Sequence, residues 1–273
     1  MDYSILISPA LGILVGFLMG LTGAGGGILS VPLLVFALHL SVAEAAPIAL
    51  SAIALAAGGG ALLGLKNKTL RYKAAGFMAT FGLLLSPVGL WLAQRVPNSP
   101  LLILFSCTLF YSAINLYRQS SREILGTADV NRKPPPCLLN PSIGKLAWNI
   151  PCARALMLSG GLAGFLSGLL GVGGGFVIVP ALKRYTDLPV QSIVATSLGV
   201  LAVISTGSAV FSAAAGNLDL LVAVPFSLGA LGGLLLGGSL GKKISGPRLQ
   251  QIFAVLTFVV AISLMVKGIK SYY

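Results

Sequence analysis

Gly20-Leu21-Thr22-Gly23-Ala24-Gly25-Gly26-Gly27 is followed five residues later by Pro32, and the chain repeats the pattern 148 residues on as Gly168-Leu169-Leu170-Gly171-Val172-Gly173-Gly174-Gly175 with Pro180. Over positions 16–34 and their shifted counterparts, 12 of 19 residues are identical. Chance would give roughly two in this composition, so the chain is an internal duplication. The same shift keeps later apolar segments in register, without insertion, to about Phe105 and Phe253.

The surroundings of these clusters place them in a membrane. Of 273 residues 56% are hydrophobic and only 9% are charged, where a soluble domain carries roughly 25%. That composition excludes a soluble enzyme, a disordered chain and a disulfide-rich secreted domain. Stretches free of Asp, Glu, Lys and Arg run 3–43, 45–65, 74–94, 96–117, 155–182, 188–218, 220–241 and 249–266. A bilayer crossing takes about 20 apolar residues. The stretches 3–43 and 155–182, which hold the glycine clusters, are too long for one crossing and too short for two comfortable ones. Residues 118–154, with Pro134-Pro135-Pro136 and most of the remaining charge, read as a polar linker. The expected organisation is a first membrane repeat at 1–117, the linker at 118–154 and a second repeat at 155–273. The fold class is all-α and polytopic, with about five apolar segments per repeat, some broken or re-entrant at the glycine-rich turns. The start of the chain has no basic stretch before its apolar run, so no cleaved signal is expected.

Orientation follows from the basic residues. With the linker placed in the cytoplasm, all but Arg95, Lys267 and Lys270 of the 18 Lys and Arg fall on the cytoplasmic side. Both termini then lie outside. The two repeats enter the membrane from opposite faces, the plan of many secondary transporters. The net charge of +12 is therefore read as topology, and no nucleic-acid partner is expected. Cys107, Cys137 and Cys152 are scattered, with no C-x-x-C pair and no neighbouring His, and read as reduced structural cysteines.

The glycine clusters fit neither a dinucleotide fingerprint, which needs a glycine where Ile28 and Phe176 stand, nor a phosphate loop, since Gly241-Lys242 has Leu236 five residues before the glycine. In a membrane, successive glycines end a helix, each costing about 1 kcal/mol relative to alanine. The first helix is expected to stop at or before Gly23, and a short one to start near Ile28. Non-helical backbone at that depth is tolerated only when buried in protein or lining a wet cavity. Its free N–H groups at a helix start bind anions, and glycine allows close approach. The competing reading is packing. Gly12, Gly16 and Gly20, Gly160, Gly164 and Gly168, and Gly229, Gly233, Gly237 and Gly241 recur every four residues, as close helix contacts require. The spaced glycines are assigned to packing and the clustered ones to substrate. Pro32 and Pro180 are read as helix-start or kink residues.

The paired G-x-x-x-G-x-x-G-x-G-G-G followed by V-P, one in each half, resembles the sulfite exporter TauE/SafE family. Ala195-Thr196-Ser197-Leu198 resembles the family's A-T-S-L stretch. The first half has Pro47-Ile48-Ala49-Leu50 there, with Ser51 the nearest hydroxyl. The resemblance implies a multi-pass transporter of the bacterial inner membrane, carrying sulfite or organosulfonates. The expected substrate-binding residues are Thr22, Gly23, Gly25, Gly26, Gly27 and Ser51 from the first repeat. Gly171, Gly173, Gly174, Gly175, Thr196 and Ser197 are their partners in the second.

The remaining polar residues narrow the chemistry. His39 is the sole histidine, at the outer end of the second segment, and reads as interfacial. Outside the termini and linker the only acids are Glu44, Asp187 and Asp219, all in predicted loops. Intramembrane acids mark cation and proton paths, so a cation pump and a metal transporter are not expected. A general acid/base pair or metal site has nothing to be built from, which argues against an enzyme and a cofactor. Ser205, Thr206 and Ser208 add hydroxyls that read as helix-backbone or interhelix bonds. Lys183 and Arg184 read as topology markers. The partners expected are a small anion and the lipid bilayer, with a homo-oligomer compatible. An anion channel, or a transporter of another small solute, is the alternative.

Overall fold

The computed structural model describes residues 2–124, 135–140, 145–146, 149–244 and 247–270. Most of the linker lies outside them. Helix α1 (Asp2–Thr22) ends at the first glycine cluster, which winds as a 3-10 stretch over Gly23–Leu29 before α2 (Ser30–Ala37). Then come α3 (Val42–Lys66), α4 (Tyr72–Arg95) and α5 (Asn98–Ile124). Two linker dipeptides, β1 (Leu139–Asn140) and β2 (Lys145–Leu146), pair antiparallel. The second half is α6 (Ile150–Leu170), α7 (Gly175–Tyr185), α8 (Val190–Ala214), α9 (Leu220–Ile244) and α10 (Pro247–Lys270). Among the described residues seven helices, α3 to α6 and α8 to α10, are long and apolar enough to cross a membrane. The α-helix after the first cluster starts at Ser30 rather than near Ile28, because the glycines first tighten into 3-10 geometry.

Local signals set the ends. The Ser41 side chain accepts from the Glu44 amide while the Glu44 carboxylate accepts from the Ser41 amide, a capping box that starts α3. A proline in the first turn starts α6, and Gly171 ends it in the left-handed conformation.

The spaced glycines zip helices together across the halves. A Cβ on Gly12, Gly16 or Gly20 of α1 would strike the backbone of α9 near Phe226, Ala230 and Leu234. On Gly160, Gly164 or Gly168 of α6 it would strike α4 near Met78, Gly82 and Ser86. Each partner in the second list lies 148 residues before its counterpart in the first. The same exchange therefore relates both contacts, as a two-fold between the halves requires. The order of these pairs makes α1 run parallel to α9, and α6 parallel to α4. Gly60 against Leu198 and Gly64 against Ala195 make α3 antiparallel to α8. Phe110 against Phe258 and Ser121 against Gln251 make α5 antiparallel to α10.

The short helices return the way the chain came. Gly174 packs on Ala163, so the chain after Leu170 folds back two turns along α6. Eleven residues further on, the Tyr185 carbonyl accepts from the Cys137 amide at 3.1 Å, and Cys137 is bonded to Cys152, eleven residues before Ala163. So α7 ends level with the start of α6, and the pair is a hairpin with both ends on one side. In the first half Gly26 packs on Leu18 and Met19. The far end of α2 meets the end of α10, where Lys267 Nζ donates to Val35 O at 2.9 Å and stands over the Phe36 ring.

One sequence reading is corrected. Cys137 and Cys152 are not scattered but paired, and form a disulfide in this structure; among the described residues only Cys107 is outside such a pair. The pairing escaped the sequence because it depends on the linker returning to the hairpin's mouth, a tertiary event that spacing does not encode. Closing a loop with a separation of 15 stabilises by about 3 kcal/mol in the chain-entropy picture.

Candidate functional site

The two glycine turns reach the middle of the molecule from opposite ends. A Cβ on Gly27 would lie 3.2 Å from Ile53 Cδ1 and 3.6 Å from the Val172 carbonyl oxygen. On Gly173 it would lie 3.0 Å from Ile53 Cγ2 and 2.8 Å from Leu201 Cδ2. Ile53 and Leu201 are related by the 148-residue shift, and each stands halfway along its helix, α3 and α8. This is the centre of the candidate site.

Further out the turns pack on the other half. Gly23 (φ +77°) faces Val194 of α8, and Gly171 (φ +71°) faces Ala46 of α3. These are again exchange partners. The αL conformation at Gly171, Gly173 and Gly174 is open to glycine and costs a residue with a Cβ about 1 kcal/mol or more. It lets the chain leave α6, turn through 171–174 and enter α7. The first amides of α7 have no carbonyl partner inside their own helix, and no side chain caps them. Gly175 is buried at the first turn of α7. Such a helix start offers partial positive charge to an anion.

The predicted site residues divide. Gly27 and Gly173 are brought together with Val172. Gly26 and Gly174 instead face their own hairpins, against the backbone of Leu18–Met19 and of Ala163, so they serve close folding. Gly25 lies in the 3-10 stretch. The hydroxyls are spent locally. Thr22 Oγ1 donates to Leu18 O at 2.7 Å, and Ser197 Oγ to Val194 O at 2.8 Å. Thr196 Oγ1 accepts from the Arg71 amide at 3.1 Å, which ties α8 to the start of α4. Ser51 Oγ donates to Ile48 O and stands 3.0 Å from Ser227 Oγ of α9. Ser86 and Ser208 make a comparable pair between α4 and α8. Ile53, Leu201 and Ser227 were not singled out from the sequence. The first two become visible only as a pair under the repeat shift. Among the described residues no group of three His, Cys, Asp or Glu could hold a metal.

The family model described as sulfite exporter TauE/SafE matches residues 9–264. The chain belongs to the TauE/SafE family. This TauE/SafE protein is 28% identical over 263 residues to a probable membrane transporter protein of Xylella fastidiosa (strain 9a5c), covering 95% of this chain and 94% of the relative. It is 25% identical over 280 residues to the probable membrane transporter protein YunE of Bacillus subtilis (strain 168), covering 98% and 100%. A Methanocaldococcus jannaschii relative with the same description is 25% identical over 284 residues, covering 97% and 98%. TauE/SafE membership and the seven long apolar helices make this a multi-pass membrane protein.

Proposed function

We propose that this TauE/SafE membrane transporter moves small anions, with sulfite and organosulfonates as the substrate class, by alternating access of two inverted halves. The observation that carries the reading is the meeting of both glycine turns at the midpoints of α3 and α8, each arriving from its own end of the molecule. No charged residue occurs between 155 and 182 or between 188 and 218, so the donors at the second turn are neutral amides. They suit an anion that must also be released. Each hairpin opens toward one end, so rocking of one half against the other would expose the central site alternately.

In proteoliposomes, sulfite uptake is expected to saturate, which separates a transporter from a channel. Gly27→Ala is the cleanest probe of the centre. Its φ is not positive, and its Cβ presses only on the Ile53 side chain, with the Val172 carbonyl oxygen at ordinary contact distance. A cost of about 1–3 kcal/mol from overpacking predicts roughly tenfold slower flux or more, with the protein still folded. Unchanged flux would remove the centre as the path.

The positive-inside bias places the linker in the cytoplasm and both termini outside. A disulfide in that compartment meets reducing conditions. In intact cells all three cysteines are therefore expected to take an alkylating mass tag after denaturation. Protein purified in air should take one tag, at Cys107, until it is reduced. A single tag in freshly quenched cells would put the linker on the oxidising side and reverse the orientation.

A further inference from the structure

Two hydroxyls flank the second glycine turn with nothing to satisfy them. Ser167 of α6 and Ser205 of α8 are each 0% exposed, and neither Oγ has a hydrogen-bond partner among the described residues. Ser159 and Ser208 on the same two helices instead donate to Ala155 O and Ile204 O, one turn back, while Ser212, two turns beyond Ser205 on α8, is also unpartnered. A buried polar group left unpaired is costly and calls for a reason, such as a bound ion or water.

Both residues border the same piece of backbone. Ser167 stands one turn beyond Ala163, the residue on which Gly174 packs. Ser205 stands one turn beyond Leu201, the residue on which Gly173 packs. Positions i and i+4 share a helix face. Both α6 and α8 run parallel to α4, since Gly82 meets Ile204 as well as Gly164, and Gly199 meets Ala75. "One turn beyond" is therefore the same direction for both, toward Gly171. The turn 171–174 thus has an unpartnered hydroxyl on each flank and the uncapped start of α7 at its end. The first turn has no equivalent. Under the 148-residue shift, Met19 and Ala57 occupy the matching positions, and Ser30 Oγ is already engaged with Gly27 O at 2.6 Å.

We propose that Ser167, Ser205 and the amides at the start of α7 form an oxyanion pocket, so that substrate is held at the second turn only. This deepens the anion reading and rests on it. Two neutral hydroxyls and backbone amides replace the hydration shell of a monoanion more readily than that of a doubly charged, strongly hydrated one. The pocket therefore favours monovalent sulfonates and bisulfite over sulfate.

Thermal unfolding of the purified full chain, with methanesulfonate, sulfite or sulfate added, tests this. The wild type is expected to gain Tm with the first two and not with sulfate. Ser167→Ala and Ser205→Ala should each weaken the half-saturating concentration about tenfold or more. Their Tm without anion should be unchanged or higher, because the deleted hydroxyl has no partner. Ser86→Ala, which breaks an existing hydroxyl pair, should lower Tm and keep the anion response. A drop in anion-free Tm for both Ser167→Ala and Ser205→Ala would make the hydroxyls structural and overturn the pocket. A wild-type response that both variants retain would remove the pocket and leave the anion reading standing. No wild-type response to any of the three anions would overturn both.

Discussion

Gly164→Val is expected to leave no folded transporter to measure. A Cβ at that position overlaps the carbonyl of Gly82, and the obstacle is backbone on a parallel helix, not a side chain that can rotate. Overpacking of side chains in a well-packed core costs about 1–3 kcal/mol, and two helix backbones in direct contact relax less than side chains do. Gly16→Val should behave alike, since its Cβ overlaps Ala230 of α9 through the exchange-related contact. The measurement is the monodisperse fraction on size exclusion after mild extraction. Gly58→Ala and Gly232→Ala provide the contrast, because nothing lies within 4 Å of a Cβ at either position. Those two should extract as well as wild type, or better, since alanine is favoured over glycine inside a helix by roughly 0.5–1 kcal/mol. Equal loss in all four variants would mean that the glycines matter for something other than close approach.

The second large effect is an inequality between the two turns. Gly171→Ala places a Cβ 2.5 Å from Ala46 Cβ, and closer still to the Ala46 backbone, at a φ of +71°. Gly23→Ala at its equivalent position meets only Val194, at 2.8 Å from Cγ1, at a φ of +77°. Both pay the left-handed penalty, about 1–2 kcal/mol. Only Gly171 also forces its new Cβ against backbone, the Ala46 Cα. Flux is therefore expected to be abolished in Gly171→Ala and reduced in Gly23→Ala. Adding Val194→Ala should rescue Gly23→Ala, while Ala46→Gly should rescue Gly171→Ala only in part. Initial-rate uptake normalised to folded protein reads both. Equal defects, or full rescue at Gly171, would show that the contacts are not what limits these positions.

Much of this was legible from residue order. The spaced glycines announced close helix packing, because a period of four puts them on one helix face whatever that face meets. The clusters ended α1 at Thr22 and α6 at Leu170, since consecutive glycines disfavour a helix wherever they occur. Individual roles inside the clusters were not legible. Gly26 and Gly27 are neighbours in sequence, yet one packs on its own hairpin and the other on Ile53 of α3. Thr196 looked like a site hydroxyl and is instead an acceptor for the Arg71 amide. The partner of Thr196 is 125 residues away, and those of Gly26 and Gly27 are reached only once the turn has folded back and α3 has packed against it.

By itself, then, the sequence determined that this is a duplicated, all-helical membrane protein with a break in each half. Those properties follow from composition and from periods of a few residues, which act locally. Only the tertiary structure decided that each break is the tip of a hairpin, that the tips meet between Ile53 and Leu201, and that Cys137 closes on Cys152. It alone also showed that one turn carries two unpartnered hydroxyls and the other none. Those facts depend on which surfaces are pressed together once the helices pack, and helix packing is set by shape across the whole chain rather than by any stretch of it.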